Sequence, residues 1–67
     1  MIVKFQVRPD RRVLIYQGAP GVTYEEALLS LGINPDTVLI LVGGISLPQD
    51  EKITVNEVDI IETCSMG

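Results

Sequence analysis

The chain has 67 residues, nine acidic and five basic side chains, no histidine and one cysteine, for a formal net charge of −4. That length supports one domain with a small core, burying about 60 % of the surface that its unfolded form exposes, and excludes a second domain or a deep cleft. The acidic balance works against phosphate backbones as partners, and one cysteine without histidine leaves no usual zinc set and no Cys/His or Ser/His/Asp catalytic arrangement.

Residues 1–8, "MIVKFQVR", alternate with period two, placing Met1, Val3, Phe5 and Val7 on one face and Ile2, Lys4, Gln6 and Arg8 on the other. With β-branched and aromatic residues this predicts a strand. Pro9-Asp10 marks a turn, and "RRVLIYQ" follows as a second strand, so residues 2–17 form an N-terminal hairpin. "GAPG" (18–21) is a loop by composition. Thr23, with Glu26 three places on, is a capping box in which each side chain satisfies a backbone N–H of the first turn. Tyr24, Ala27, Leu28 and Leu31 recur at helical spacing, predicting a helix over 24–31. Gly32 suits the left-handed position that ends it, and Pro35 blocks resumption.

"VLILV" (38–42) is an apolar run bounded by "NPDT" and "GG", read as a buried central strand. Gly43-Gly44 reads as a hairpin turn rather than a phosphate cradle, since no GxxxxGK[ST] loop exists. Ile45–Leu47 is a short edge strand closed by Pro48, "QDEK" is a polar loop, and "EVDIIETC" (57–64) is the last strand. A hairpin, one helix and three further strands give an α+β chain. The helix supplies the crossover that lets the first and last strands lie parallel and adjacent, with four to five strands in a mixed sheet. That is the β-grasp, or ubiquitin-like, roll, with residues 1–63 as the domain and 64–67 as a flexible C-terminal tail.

One helix covers only one sheet face. Val38–Val42 is apolar on both alternating faces, and Ile2, Leu14, Tyr16 and Ile61 are read as pointing away from the helix. The outer face therefore carries an apolar patch, and Tyr16, Leu39, Leu41 and Ile61 are the candidate partner-docking residues; the bland alternative is that central strands are simply apolar. No run of about 18 apolar residues predicts a transmembrane helix, the N-terminus lacks a signal-peptide pattern, and a lone cysteine gives no disulfide framework. A cytoplasmic protein without membrane or nucleic-acid partners is expected.

The tail "CSMG" admits several readings. Cys64 stands fourth from the end, as in a C-a-a-X box, but glycine is not a usual final residue there and no polybasic stretch precedes it. As a reactive thiol, Cys64 would need a nearby cation or a helix N-terminus, and the local sequence offers Glu62 and neutral residues; a half-buried strand residue is the ordinary alternative. The third reading gives the work to the carboxylate of Gly67. Glycine lets an extended tail thread a narrow channel in another enzyme, where ATP would turn the carboxylate into a mixed anhydride.

Taken in order, these pieces resemble the small sulfur carriers of the ThiS/MoaD type and their archaeal ubiquitin-like modifier relatives. "TYEEALLSLGINPDTVLILVGG" carries the family's pattern at Leu31, Gly32, Ile33, Pro35, Thr37 and Val38. "ISLPQDEKI" carries it at Pro48, Asp50 and Ile53, and "VNEVDIIETCSMG" at Val58, Ile60, Ile61 and Gly67. The resemblance implies a non-enzymatic carrier that needs no cofactor or metal of its own. Its terminal glycine would be adenylated by a ubiquitin-activating-type enzyme, then converted to a thiocarboxylate for a sulfur-acceptor synthase (thiamin, molybdopterin or tRNA thiolation) or joined to lysine. Cys64, Ser65 and Met66 would form the lead to Gly67. The family pattern ends Gly-Gly, whereas Met66 precedes Gly67 here, and counting back from the family's turn leaves this tail a residue short. Asn56-Glu57 stands where the family has Gly-Asp; asparagine tolerates the left-handed turn and glutamate keeps the charge, so the turn can survive, while the shifted alternation there suggests a bulge or an altered turn. The rival reading is a non-conjugated β-grasp module that binds through its sheet face.

Overall fold

Strand β1 (Ile2–Arg8) and strand β2 (Arg12–Gln17) form the expected N-terminal hairpin in a computed structural model, which describes residues 1–63. Val3, Phe5 and Val7 are fully buried, as the period-two pattern requires. The antiparallel register sets Val3 against Tyr16, Phe5 against Leu14 and Val7 against Arg12, leaving residues 8–11 as the connection. The Arg8–Pro9 peptide is cis, and Arg11 has a φ of 58°.

Helix α1 (Tyr24–Ser30) starts at the predicted capping box. The Glu26 N–H donates to Thr23 Oγ1 at 3.2 Å, and the Thr23 N–H donates to Glu26 Oε1 at 3.0 Å. The polar loop after β4 satisfies further N-terminal donors: Tyr24 N–H bonds Glu51 O (3.1 Å) and Glu25 N–H bonds Gln49 O (2.8 Å). At the other end Ile33 N–H bonds Leu28 O (2.9 Å) and Gly32 N–H bonds Leu29 O (3.1 Å). This Schellman arrangement needs the left-handed backbone that Gly32 supplies at φ 81°. Beyond it Pro35 does more than stop the helix. It opens a 3-10 turn (Pro35–Thr37) whose cap, Asn34, accepts from Asp36 N–H at 2.9 Å.

Strands β3 (Val38–Val42) and β4 (Ile45–Leu47) are joined by Gly43-Gly44, whose φ values of 58° and 82° suit a two-residue hairpin turn. Strand β5 (Glu57–Glu62) lies between β1, to which it is parallel, and β3, to which it is antiparallel. The sheet order is β2-β1-β5-β3-β4, with α1 packed on one face, which is the β-grasp architecture. Three expectations need correction. Strand β3 is interior to the sheet, but only Ile40 of its five residues is buried. Strand β5 ends at Glu62, so Thr63 is not part of it, and Cys64, the expected last residue, lies outside the described residues. Its register runs without interruption from Lys4↔Glu57 to Arg8↔Ile61, so there is no bulge; of the two alternatives the altered turn remains, with Asn56 outside the left-handed region.

The core joins Tyr24, Ala27 and Leu28 of α1 to Val3, Phe5, Val7, Ile40, Val58 and Ile60 of the sheet, closed by Ile33 and Ile53. No polar side chain is buried among the described residues. A seven-residue helix is unstable in isolation, so α1 exists because it buries this stripe, each large side chain contributing about 1.5–3 kcal/mol. One covered face leaves the other open, and the candidate site lies there.

Candidate functional site

Parity along the ladders defines the open face. Leu39 lies opposite Ile61, and Leu41 opposite Asp59, on the β3–β5 ladder; Ile61 lies beside Arg8, and Asp59 beside Gln6, on the β5–β1 ladder. Since directly paired residues share a face, the row nearest the end of β5 reads Arg8–Ile61–Leu39. Leu39 is 47 % exposed, while Leu41 and Ile61 are half-buried. Three of the four proposed docking residues therefore sit together. The fourth does not: Tyr16 pairs with Val3, and Leu14 with Phe5, so both turn towards the helix side and pack against the core. Tyr16 also lies over Gly18, where a Cβ would come within 2.6 Å of its Cζ. In their place the open face receives Val13 and Ile15, both more than half exposed, beside Ile2. The polar residues Lys4, Gln6, Glu57 and Asp59 divide this second apolar group from Leu39, Leu41 and Ile61.

The path of the chain off β5 is clamped. Thr63 donates twice to the carbonyl of Thr37, from its N–H at 2.9 Å and from Oγ1 at 3.0 Å. Arg12 reaches Glu62 at 3.2 Å and Asp10 at 3.7 Å, and Arg8 reaches Asp59 at 3.6 Å. Because β1 and β5 run parallel, the 8–11 connection stands at the same end of the sheet as Thr63. Gln6, Arg8, Pro9, Arg11, Arg12 and Val13 help line a shallow concavity there of about 400 Å³. The resolved pKa perturbation lies elsewhere, at Tyr24. Burial, then the neighbouring Glu51 carboxylate, hold its hydroxyl above the usual phenol range. Among the described residues no three Cys, Asp or Glu side chains gather as metal ligands. No helix of the described residues is long and apolar enough to cross a membrane. The tail residues Cys64, Ser65, Met66 and Gly67 lie outside the described residues.

An open apolar row thus lies beside a clamped chain exit on a β-grasp sheet. The family model of small archaeal modifier protein 2 matches residues 1–63, the whole described chain. The chain belongs to the small archaeal modifier protein 2 family. It is also similar to an uncharacterized protein of Archaeoglobus fulgidus, 40 % identical over 47 residues that make up 70 % of each chain. Family membership makes the protein a small ubiquitin-like modifier, a class of carrier or tag rather than of enzyme.

Proposed function

We propose that this protein is a ubiquitin-like modifier and sulfur carrier that works through the carboxylate of Gly67. In this reading a partner enzyme of the ubiquitin-activating type binds the open sheet face and draws residues 64–67 into its active site. A Gly67 carboxylate oxygen attacks the α-phosphorus of ATP, and pyrophosphate leaves. The acyl-adenylate is then attacked at its carbonyl carbon by a reduced sulfur nucleophile, giving a thiocarboxylate, or by a lysine amine, giving an isopeptide bond; AMP leaves in either case. A sulfur-acceptor synthase would consume the thiocarboxylate, and the whole cycle would run in the cytoplasm.

The observation that carries the reading is the family match over residues 1–63, which leaves 64–67 beyond the matched domain. The Thr63 clamp supports it, because a tail held at its root by two hydrogen bonds leaves the sheet at a fixed point beside Leu39 and Ile61. The exposed apolar row also suits a module that docks through its sheet and ignores its C-terminus. Deletion of Gly67 separates the two. The carrier reading expects ATP–pyrophosphate exchange by the activating enzyme to be lost while the melting temperature stays unchanged. Exchange that survives the deletion, or survives an extra tag fused after Gly67, would leave the docking-module reading in its place.

A further inference from the structure

We infer that Arg11, at the tip of the β1–β2 connection, contacts carboxylates on the surface of the activating enzyme around the entrance to its active site. The inference rests on the carrier reading above and names the partner chemistry beside the chain exit. Arg11 holds a φ of 58°, and among the described residues it is the non-glycine residue in the left-handed region. A residue with a Cβ occupies that region at a cost that glycine escapes and asparagine or aspartate lessen. The backbone of this turn thus favours a different residue from the one present, and what arginine adds is its side chain. An uncommon conformation retained on a surface turn points to use of the group it displays.

The surroundings say what that use is. Arg8, Arg11 and Arg12, three of the chain's five basic side chains, line one concavity. Arg8 is tied to Asp59, and Arg12 to Asp10 and Glu62. Arg11 is exposed and makes no ion pair with the described residues. Its charge is the one this end of the sheet offers outward, since the other two arginines are matched locally. Of the remaining six carboxylates and two lysines, which make up the net −4, Asp36 adjoins Thr37 at this end and accepts from Gln49 Nε2 at 3.0 Å. A partner carboxylate that meets the 8–11 connection therefore finds an unmatched cation there, on a molecule that is acidic in balance. Charge complementarity of this kind acts on encounter and orientation.

The test is ATP–pyrophosphate exchange by the source organism's activating enzyme, with the full-length protein as the varied substrate at low and at raised salt. Arg11→Gly removes the side chain and relieves the backbone, so its melting temperature is expected to equal or exceed the parent's. Its KM is expected to rise about 3- to 10-fold at low salt with kcat unchanged, and the difference to shrink as salt screens the contact. Arg11→Lys is expected to recover most of the loss, and Arg11→Glu to deepen it. An Arg11→Gly protein with the parent's KM at low salt would overturn the inference. So would a change confined to the KM for ATP, which would assign Arg11 to a phosphate. A parent protein that is not activated at all would overturn the carrier reading and this inference with it, whereas normal activation of parent and variant alike removes the inference alone.

Discussion

Truncating Leu39 and Ile61 to alanine should weaken recognition by the activating enzyme while leaving the domain folded. Leu39 keeps 47 % of its surface open, and complete burial of such a side chain is worth about 1.5–3 kcal/mol. Docking that covers Leu39 thus has about 1 kcal/mol to gain from the open part, about fivefold in affinity. Ile61 sits directly opposite and is half-buried, so its open part adds somewhat less, and the double variant should lose about tenfold or more. The hidden parts of the two side chains contribute to stability on a similar scale. A domain of this size has roughly 3–10 kcal/mol to lose, so the variant remains folded with a lowered melting temperature. The assay is ATP–pyrophosphate exchange with the varied protein as substrate, where the effect should fall on KM. Ile45→Ala is the matched control: Ile45 is 65 % exposed but pairs with Val42 on the helix-side parity of the edge strand. Equal KM values for parent and double variant would refute the docking face. So would a loss of the same size in Ile45→Ala, which would report a general effect of removing apolar surface.

Two further substitutions test the packing. Gly18→Ala places a methyl group against the end of the Tyr16 ring, and because that ring covers the core beside Val3, the cost should be about 1–3 kcal/mol in urea unfolding; an unchanged midpoint would mean that Tyr16 moves aside freely. Tyr24→Phe addresses alkaline stability. The raised pKa of Tyr24 in the folded state means that folding favours the neutral phenol. This contribution is complete below the unfolded value of about 10 and is lost as pH rises through the folded value. The parent should therefore lose stability above about pH 10 more steeply than Tyr24→Phe, and identical pH profiles by urea titration would contradict the assignment.

The fold was legible wherever local chemistry and periodicity agreed. Thr23 with Glu26, Gly32, and the pair Gly43-Gly44 each demand one backbone geometry, and each adopts it. In β1 the alternation of apolar and polar residues states its own buried face. In β2 it does not, because Val13-Leu14-Ile15-Tyr16 is apolar at every position, and either parity satisfies the pattern. The register decides, and it follows from the pairing of Val7 with Arg12 across residues 8–11. A connection one residue longer or shorter would reverse every side chain of the strand. The apolar pattern alone therefore allows Tyr16 on the open face, where the register puts Val13 and Ile15. The Asn34-Pro35 start of the 3-10 turn carried a readable signal, a capping side chain followed by proline at the first helical position. The Thr63–Thr37 clamp carried none, since it joins residues 26 apart through a carbonyl that any residue could supply.

The central claim is that the Gly67 carboxylate does this protein's chemistry, and intact mass of the untagged protein from its own cells tests it most directly. The account predicts a population ending in Gly67, or in one further glycine, in which some molecules are heavier by a single oxygen-to-sulfur exchange or are joined through that glycine to lysine. A population never modified at its C-terminus, even under sulfur demand, or one extending past that point into other residues, would contradict it.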